Sequence, residues 1–199
     1  PNSSSNRPHP LMLQIIRTLT GSGIFALVLA FGGIAHSAPP TFQTTAKQAI
    51  LMDFDTGAVL YEKNADTIMF PASMTKLMTS LLAFDELKAG RLKLDDTFHV
   101  SETAWRKGGS KMFVKIDDDI KIEDLLRGVI VQSGNDASIV IAEGIAGSEE
   151  AFGERMTERG REIGLESTVF RNATGWPDPQ HVTTARDLAK LARFLISEY

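Results

Sequence analysis

Cysteine is absent from the 199 residues, and histidine occurs only four times. The first absence removes disulfide frameworks, thiol nucleophiles, cysteine-ligated zinc and iron–sulfur clusters together. The second leaves little imidazole for a metal centre. Positive charge is also short, with 21 basic against 25 acidic residues and a net charge of −4. No basic face or stripe is available for phosphate, which excludes nucleic acid as a partner. Internal repeats are missing, and so is low-complexity sequence after the Ser/Pro-rich first ten residues. What is present, 43% hydrophobic and 23% charged residues, is the balance of a globular domain, and the length suits one domain with or without an appendage.

Residues 1–37 contain Arg7 and Arg17 and no acid. An eleven-residue apolar run, 24–34, precedes the small residues Ala35 and Ser37 and then Ala38-Pro39-Pro40. That run falls short of the about 20 residues that span a bilayer, and the layout is that of a secretory leader cleaved after Ser37. Residues 1–37 are therefore expected to be a leader and 38–199 a single domain working outside the cytoplasm. Without the leader the chain carries 19 bases against 25 acids.

Two apolar runs, 48–54 and 58–62, flank Asp55-Thr56-Gly57 and predict a β-hairpin. Met74, Leu77, Met78, Leu81, Leu82 and Phe84 recur at helical spacing, so a helix is expected over 73–88, with Pro71 before its first turn and Gly90 after it. Residues 91–121 are turn-rich and read as short strands and loops. Further helices are expected over 122–131, from about 136 to 145, over 149–163, and from Thr184 onward, the last with capping-box character. A lone hairpin is marginal in water, so its strand partners are expected beyond residue 199.

Ser73-Met74-Thr75-Lys76 sets a hydroxyl and an amine three residues apart at a helix start, on one helical face. A serine hydroxyl is a weak nucleophile until a neighbouring base takes its proton. Lysine serves when burial or a second cation brings its pKa toward neutrality. The partial positive charge of the helix N-terminus favours negative charge developing beside Ser73. The plain alternative is a helix-start serine with a solvated lysine. Ser133-Gly134-Asn135 follows Lys76 by 57 residues, in the break between two apolar helices. Such a loop can project a second hydroxyl and a carboxamide into a cleft. The same three residues also suit a simple helix-capping turn.

Together, Ser-x-x-Lys followed by Ser-x-Asn resembles the penicillin-binding proteins and serine β-lactamases, whose third signature is Lys-Thr-Gly. The wider stretches 70–76, 131–137, 172–175 and 183–187 resemble the low-molecular-mass D-alanyl-D-alanine carboxypeptidases of peptidase family S11. The resemblance covers about 45–199 and implies an α/β fold of the β-lactamase/DD-peptidase kind, in which an antiparallel sheet is flanked by helices and 73–199 form a mostly helical subdomain. It implies that Ser73 attacks the carbonyl between the terminal D-alanines of a peptidoglycan stem peptide. Lys76 is then the general base, Ser133 passes the proton to the leaving D-alanine, and Asn135 holds the substrate amide and orients Lys76. It implies no metal and no cofactor, with stem peptides and β-lactam antibiotics as partners. Lys-Thr-Gly does not occur in the 199 residues. It is expected later, as are a β-rich domain and a peripheral membrane contact in the C-terminal region, with the protein at the periplasmic or outer face of a bacterial cytoplasmic membrane.

Other readings compete. Asp55-Thr56-Gly57 matches an aspartic peptidase triplet, but that chemistry needs two aspartates and the triplet occurs once; a hairpin turn accounts for it. A Ser-His-Asp hydrolase needs a Gly-x-Ser-x-Gly elbow, which is missing. His181 reads as a surface or capping histidine. Asp117-Asp118-Asp119 lacks the alternate spacing of a calcium loop and reads as a solvated face. Trp105 and Trp176 read as core or loop packing. Within the same fold the alternatives are a serine β-lactamase and a catalytically inactive peptidoglycan-binding scaffold.

Overall fold

The expected hairpin forms where the apolar runs place it. In the computed structural model, which describes residues 42–199, strand β1 (Ala49–Met52) pairs antiparallel with β2 (Val59–Lys63), Leu51 opposite Tyr61. The connection is built by Asp53, whose Oδ1 accepts from the Thr56 amide at 2.8 Å, and by Gly57 at φ +74°. Asp-Thr-Gly is thus turn chemistry. The expected leader and its cleavage point lie outside the described residues.

The helix expected over 73–88 begins in a tighter form. Ala72–Thr75 is a 3₁₀ turn, and only from Lys76 does the α-helix α1 (Lys76–Lys88) run. Between 91 and 121, β3 (Thr97–His99) and β4 (Asp119–Lys121) form a second antiparallel pair with Phe98 opposite Ile120. The short helix α2 (Glu102–Arg106) was not expected; Ser101 starts it, its hydroxyl accepting from the Ala104 amide at 3.0 Å. Then come α3 (Ile122–Gln132), α4 (Asn135–Ala146), α5 (Glu149–Glu162) and α6 (Ala185–Glu198). The capping box at α6 is half made. Thr184 Oγ1 accepts from the Asp187 amide, while the Asp187 carboxylate turns away to the Ser167 amide and the Thr168 hydroxyl.

Helix α4 lies at the centre, in contact with α1, α2, α3, α5 and β3. Its first eight residues are all buried, the behaviour of a helix surrounded on every side. Met78 and Leu81 of α1, Leu125 of α3, Ile139 and Ile141 of α4, Phe152 and Met156 of α5 and Leu191 of α6 interdigitate around it with no exposed surface. Each such side chain contributes about 1.5–3 kcal/mol on removal from water. The hairpin is held by α6. Arg193 donates to the Phe54 and Asp55 carbonyls at 2.7 and 3.0 Å, and Arg186 pairs with Asp66 and with Glu62 of β2. A polar cavity of about 520 Å³ between α1 and α5 is lined by charges already paired with one another, Asp85 with Arg159 and Glu86 with Arg91 and Arg155.

Candidate active site

Ser73 sits in the 3₁₀ turn and its side chain is exposed. The residue before it, Ala72, has φ +47°, a left-handed conformation that L-residues avoid. The turn is pressed from the far side by Gly175 at φ +80°, where an added Cβ would stand 1.8 Å from the Ala72 carbonyl oxygen. Only glycine permits that approach.

Lys76 opens α1 three residues after Ser73, and the intervening turn swings its side chain inward until only 5% of the residue is exposed. Its ammonium has three hydrogens and three acceptors: Asn135 Oδ1 at 2.8 Å, the Thr174 carbonyl at 2.8 Å and Ser73 Oγ at 3.3 Å. All three are uncharged. No carboxylate among the described residues compensates the cation, and burial pulls the Lys76 pKa down from 10.5 to about 8.

Ser133 ends α3 in the left-handed region, φ +54°, and the Gly134 amide closes the turn on the Gly128 carbonyl at 2.9 Å. This conformation places Ser133 in the same depression as Ser73 and Lys76, a space of about 380 Å³ also lined by Leu77, Val129 and Ile130. Asn135 starts α4; its amide donates to the Ser110 carbonyl at 2.7 Å and its Nδ2 to the Gly108 carbonyl at 2.8 Å. The next residue, Asp136, is wholly buried and accepts from the amides of Met112, Phe113, Val114 and Ala137. Segment 108–114 is thereby clamped over the turn that carries Ser133 and Asn135.

The four residues selected from the sequence thus converge, and two features were missed. The Thr174 carbonyl is a backbone group, invisible to a search for reactive side chains, although Asn172-Ala173-Thr174-Gly175 had been singled out. Asp136 lies inside the 131–137 stretch that resembles the family, but nothing in the sequence announces the backbone donors it gathers. His181 corrects an expectation: it is buried at 2% exposure, not on the surface. Its Nδ1 accepts from the Arg171 amide at 3.2 Å, so its Nε2 carries the hydrogen donated to Thr75 Oγ1 at 2.8 Å. Burial, opposed only in part by Asp178, draws its pKa from 6.5 to about 4. Asp117, Asp118 and Asp119 are exposed, the first and last flanking His99 at 3.7 and 3.4 Å. Trp176 packs at a loop, its ring against Gly108 and Gly109 and under the Lys107 ammonium at 4.7 Å. Among the described residues no group of three or more His, Asp or Glu is placed to hold a metal, and no helix is long and apolar enough to cross a membrane.

The chain is similar to known proteins in sequence and in fold. A D-alanyl-D-alanine carboxypeptidase from Bacillus subtilis strain 168, DacF, is 42% identical over 151 residues, which are 76% of this chain and 39% of that one. The crystal structure of the D-alanyl-D-alanine carboxypeptidase DacD from Francisella tularensis superposes with a TM-score of 0.78 at 39% identity, over 85% of this chain and 43% of that one. Penicillin-binding protein D2 from Listeria monocytogenes in its ampicillin-bound form superposes with a TM-score of 0.72 at 27% identity, over 81% of this chain and 65% of that one. The chain therefore spans less than half the length of the first two relatives. The expected fold of helices around antiparallel strands is the one these structures share, and the S11 family model, described as D-alanyl-D-alanine carboxypeptidase, matches residues 34–199. The chain belongs to the D-alanyl-D-alanine carboxypeptidase family, peptidase S11.

Proposed function

We propose that the full-length protein is a serine-type D-Ala-D-Ala carboxypeptidase. Residues 1–37 are a removed secretory leader and 38–199 the N-terminal part of its catalytic domain. The observation that carries the reading is the Lys76 amine, buried among uncharged acceptors with Ser73 Oγ 3.3 Å away. When that amine is neutral it keeps two hydrogens and gains a lone pair. The two shorter bonds, to Asn135 Oδ1 and the Thr174 carbonyl, hold the hydrogens, and the lone pair faces Ser73. Its pKa of about 8 lets it accept a proton near neutrality.

Ser73 Oγ attacks the carbonyl between the terminal D-alanines and passes its proton to Lys76. The tetrahedral adduct collapses as the C–N bond breaks, and Ser133 relays the proton to the departing D-alanine nitrogen. Asn135 bonds the substrate amide while it orients Lys76. Water then takes the acyl group from Ser73. Ampicillin in the Listeria relative supports β-lactams as competing acylating agents, and peptidoglycan stem peptides are the substrate. The work is done outside the cytoplasm, at the periplasmic or outer face of the cytoplasmic membrane, with a peripheral contact from the C-terminal region.

The test is incubation of the full-length protein with a labelled penicillin, followed by intact mass and peptide mapping. A penicilloyl adduct on Ser73, absent in Ser73→Ala, is expected. No adduct on the folded protein would overturn the reading.

A further inference from the structure

Half of the fork that aims Lys76 is a backbone carbonyl, and a loop carbonyl stays on target only if something fixes the loop. Asn172 does this with one atom. Its Oδ1 accepts from the Thr174 amide at 3.2 Å, the Thr174 hydroxyl at 3.0 Å, the Gly175 amide at 2.8 Å and the Trp176 amide at 3.0 Å. Its Nδ2 donates back to the Trp176 carbonyl at 3.0 Å, which settles the orientation of the carboxamide. The five-residue loop is wound around this one side chain, with the Thr174 carbonyl left pointing outward at Lys76 Nζ. Two further contacts seat the loop on the nucleophile's own elements. Thr79, one turn along α1 from Lys76, donates to the Ala173 carbonyl at 2.7 Å, and Gly175 abuts the Ala72 carbonyl next to Ser73.

We infer that Asn172 is a positioning residue for acylation: by gathering the 172–176 loop onto its Oδ1 it aims the Thr174 carbonyl at Lys76, and so directs the amine's lone pair at Ser73. The inference rests on the carboxypeptidase reading above. It asks nothing of Asn172 in contact with substrate. Displacing an aligned group by about 1 Å is enough to slow a positioned reaction about 100-fold. Losing the loop's hub should therefore lower the acylation rate constant while the noncovalent affinity for the β-lactam stays as it was.

The experiment is stopped-flow acylation of the full-length protein by a chromogenic or fluorescent β-lactam. It is run from pH 6 to 10 with wild type, Asn172→Ala, Asn172→Asp and Ser73→Ala, each corrected for folded fraction. Asn172→Ala should lower the plateau rate about 10- to 100-fold with unchanged binding. Asn172→Asp keeps an oxygen for the four donors and should recover most of that plateau. Its added negative charge, two hydrogen bonds and one residue from the amine, should move the rising limb of the profile upward by up to about one pH unit. A purely structural role moves neither plateau nor limb once folded fraction is taken into account. Asn172→Ala acylating at the wild-type rate, both variants equally slow with an unmoved limb, or neither variant folding would each overturn the inference. If Asn172→Ala alone fails to fold, the plateau and limb of Asn172→Asp decide. Wild type that leaves Ser73 unlabelled would instead overturn the carboxypeptidase reading itself.

Discussion

Because Lys76 is buried as a cation, this protein should be less stable at neutral pH than at pH 10, and the effect is measurable. In an unfolded chain the amine titrates at 10.5; in the fold burial brings it to about 8. Below about pH 8 the side chain is charged in both states, and keeping the cation buried costs about 3 kcal/mol. Between about 8 and 10.5 the folded protein has released its proton while the unfolded chain still holds one. The unfolded state then binds more protons, so stability rises with pH across that window, and above it the cost is gone. Lys76→Met removes the titration but strips Asn135 Oδ1 and the Thr174 carbonyl of their amine donor, at about 1–3 kcal/mol for each acceptor left dry. At pH 7 the two effects oppose each other, so the pH dependence is the informative quantity. Urea unfolding of both full-length proteins in matched buffers from pH 7 to 10 should show wild type gaining about 2–3 kcal/mol on the variant. All other titrating groups cancel in the difference. Parallel curves would show that Lys76 titrates alike folded and unfolded, and the argument for a neutral base near pH 8 would fall with them.

Acid should act through His181 in a related way. Its pKa falls from 6.5 to about 4 on folding because it is buried, so the unfolded state binds the extra proton between those values and stability is lost as pH drops. Wild type should lose about 3 kcal/mol more than His181→Gln between pH 7 and 4, checked by urea unfolding, and equal losses would refute this. Asp136→Ala leaves four amides without their acceptor, those of Val114 and Ala137 buried, and should cost at least about 2 kcal/mol. Amide exchange at Met112, Phe113 and Val114 should accelerate beyond the change in global stability, and uniform acceleration across α4 would contradict a local clamp.

How far the fold could be read depended on where its determinants lie along the chain. The periodic apolar positions of α3, α4, α5 and α6 place those helices within a residue or two of the expected bounds, because each buries a stripe or a whole surface in one core; α1 starts three residues late, behind its 3₁₀ turn. Helix α2 escaped, since five residues carry too little periodicity and its only mark is the Ser101 cap. The hairpin was legible from Asp53 to Gly57, but not that Arg193, about 140 residues away, would fasten its turn. In the site, side chains with intrinsic chemistry were found from motif and spacing: Ser73, Lys76, Ser133 and Asn135. What was missed was a backbone group and two side chains whose partners lie elsewhere in the chain, Asp136 and His181. The Thr174 carbonyl has no residue type to betray it, and His181 was misplaced because its partners, Thr75 and the Arg171 amide, are brought to it only by the fold.

Two departures from ordinary folding rules meet in one depression, and a third stands at the residue before Ser73. Ala72 and Ser133 hold left-handed backbone without being glycine, at about 1–2 kcal/mol each, and Lys76 is a buried cation with no counter-charge among the described residues. Glycine at 72 or 133 would relieve the strain, but at 133 it would also delete the hydroxyl of a residue that lines the depression with Ser73. Each strained residue is held in place by its surroundings: Ala72 by the close approach of Gly175, and Ser133 by the Gly134–Gly128 hydrogen bond and the Asp136 clamp just beyond it. Strain of this kind survives only where neighbours over-determine it. Asn64, Phe113 and Asp117 hold the same backbone region elsewhere, so strain alone does not mark the site; a lysine buried among uncharged acceptors beside two such residues is the physical reason, independent of motif, to place the chemistry there.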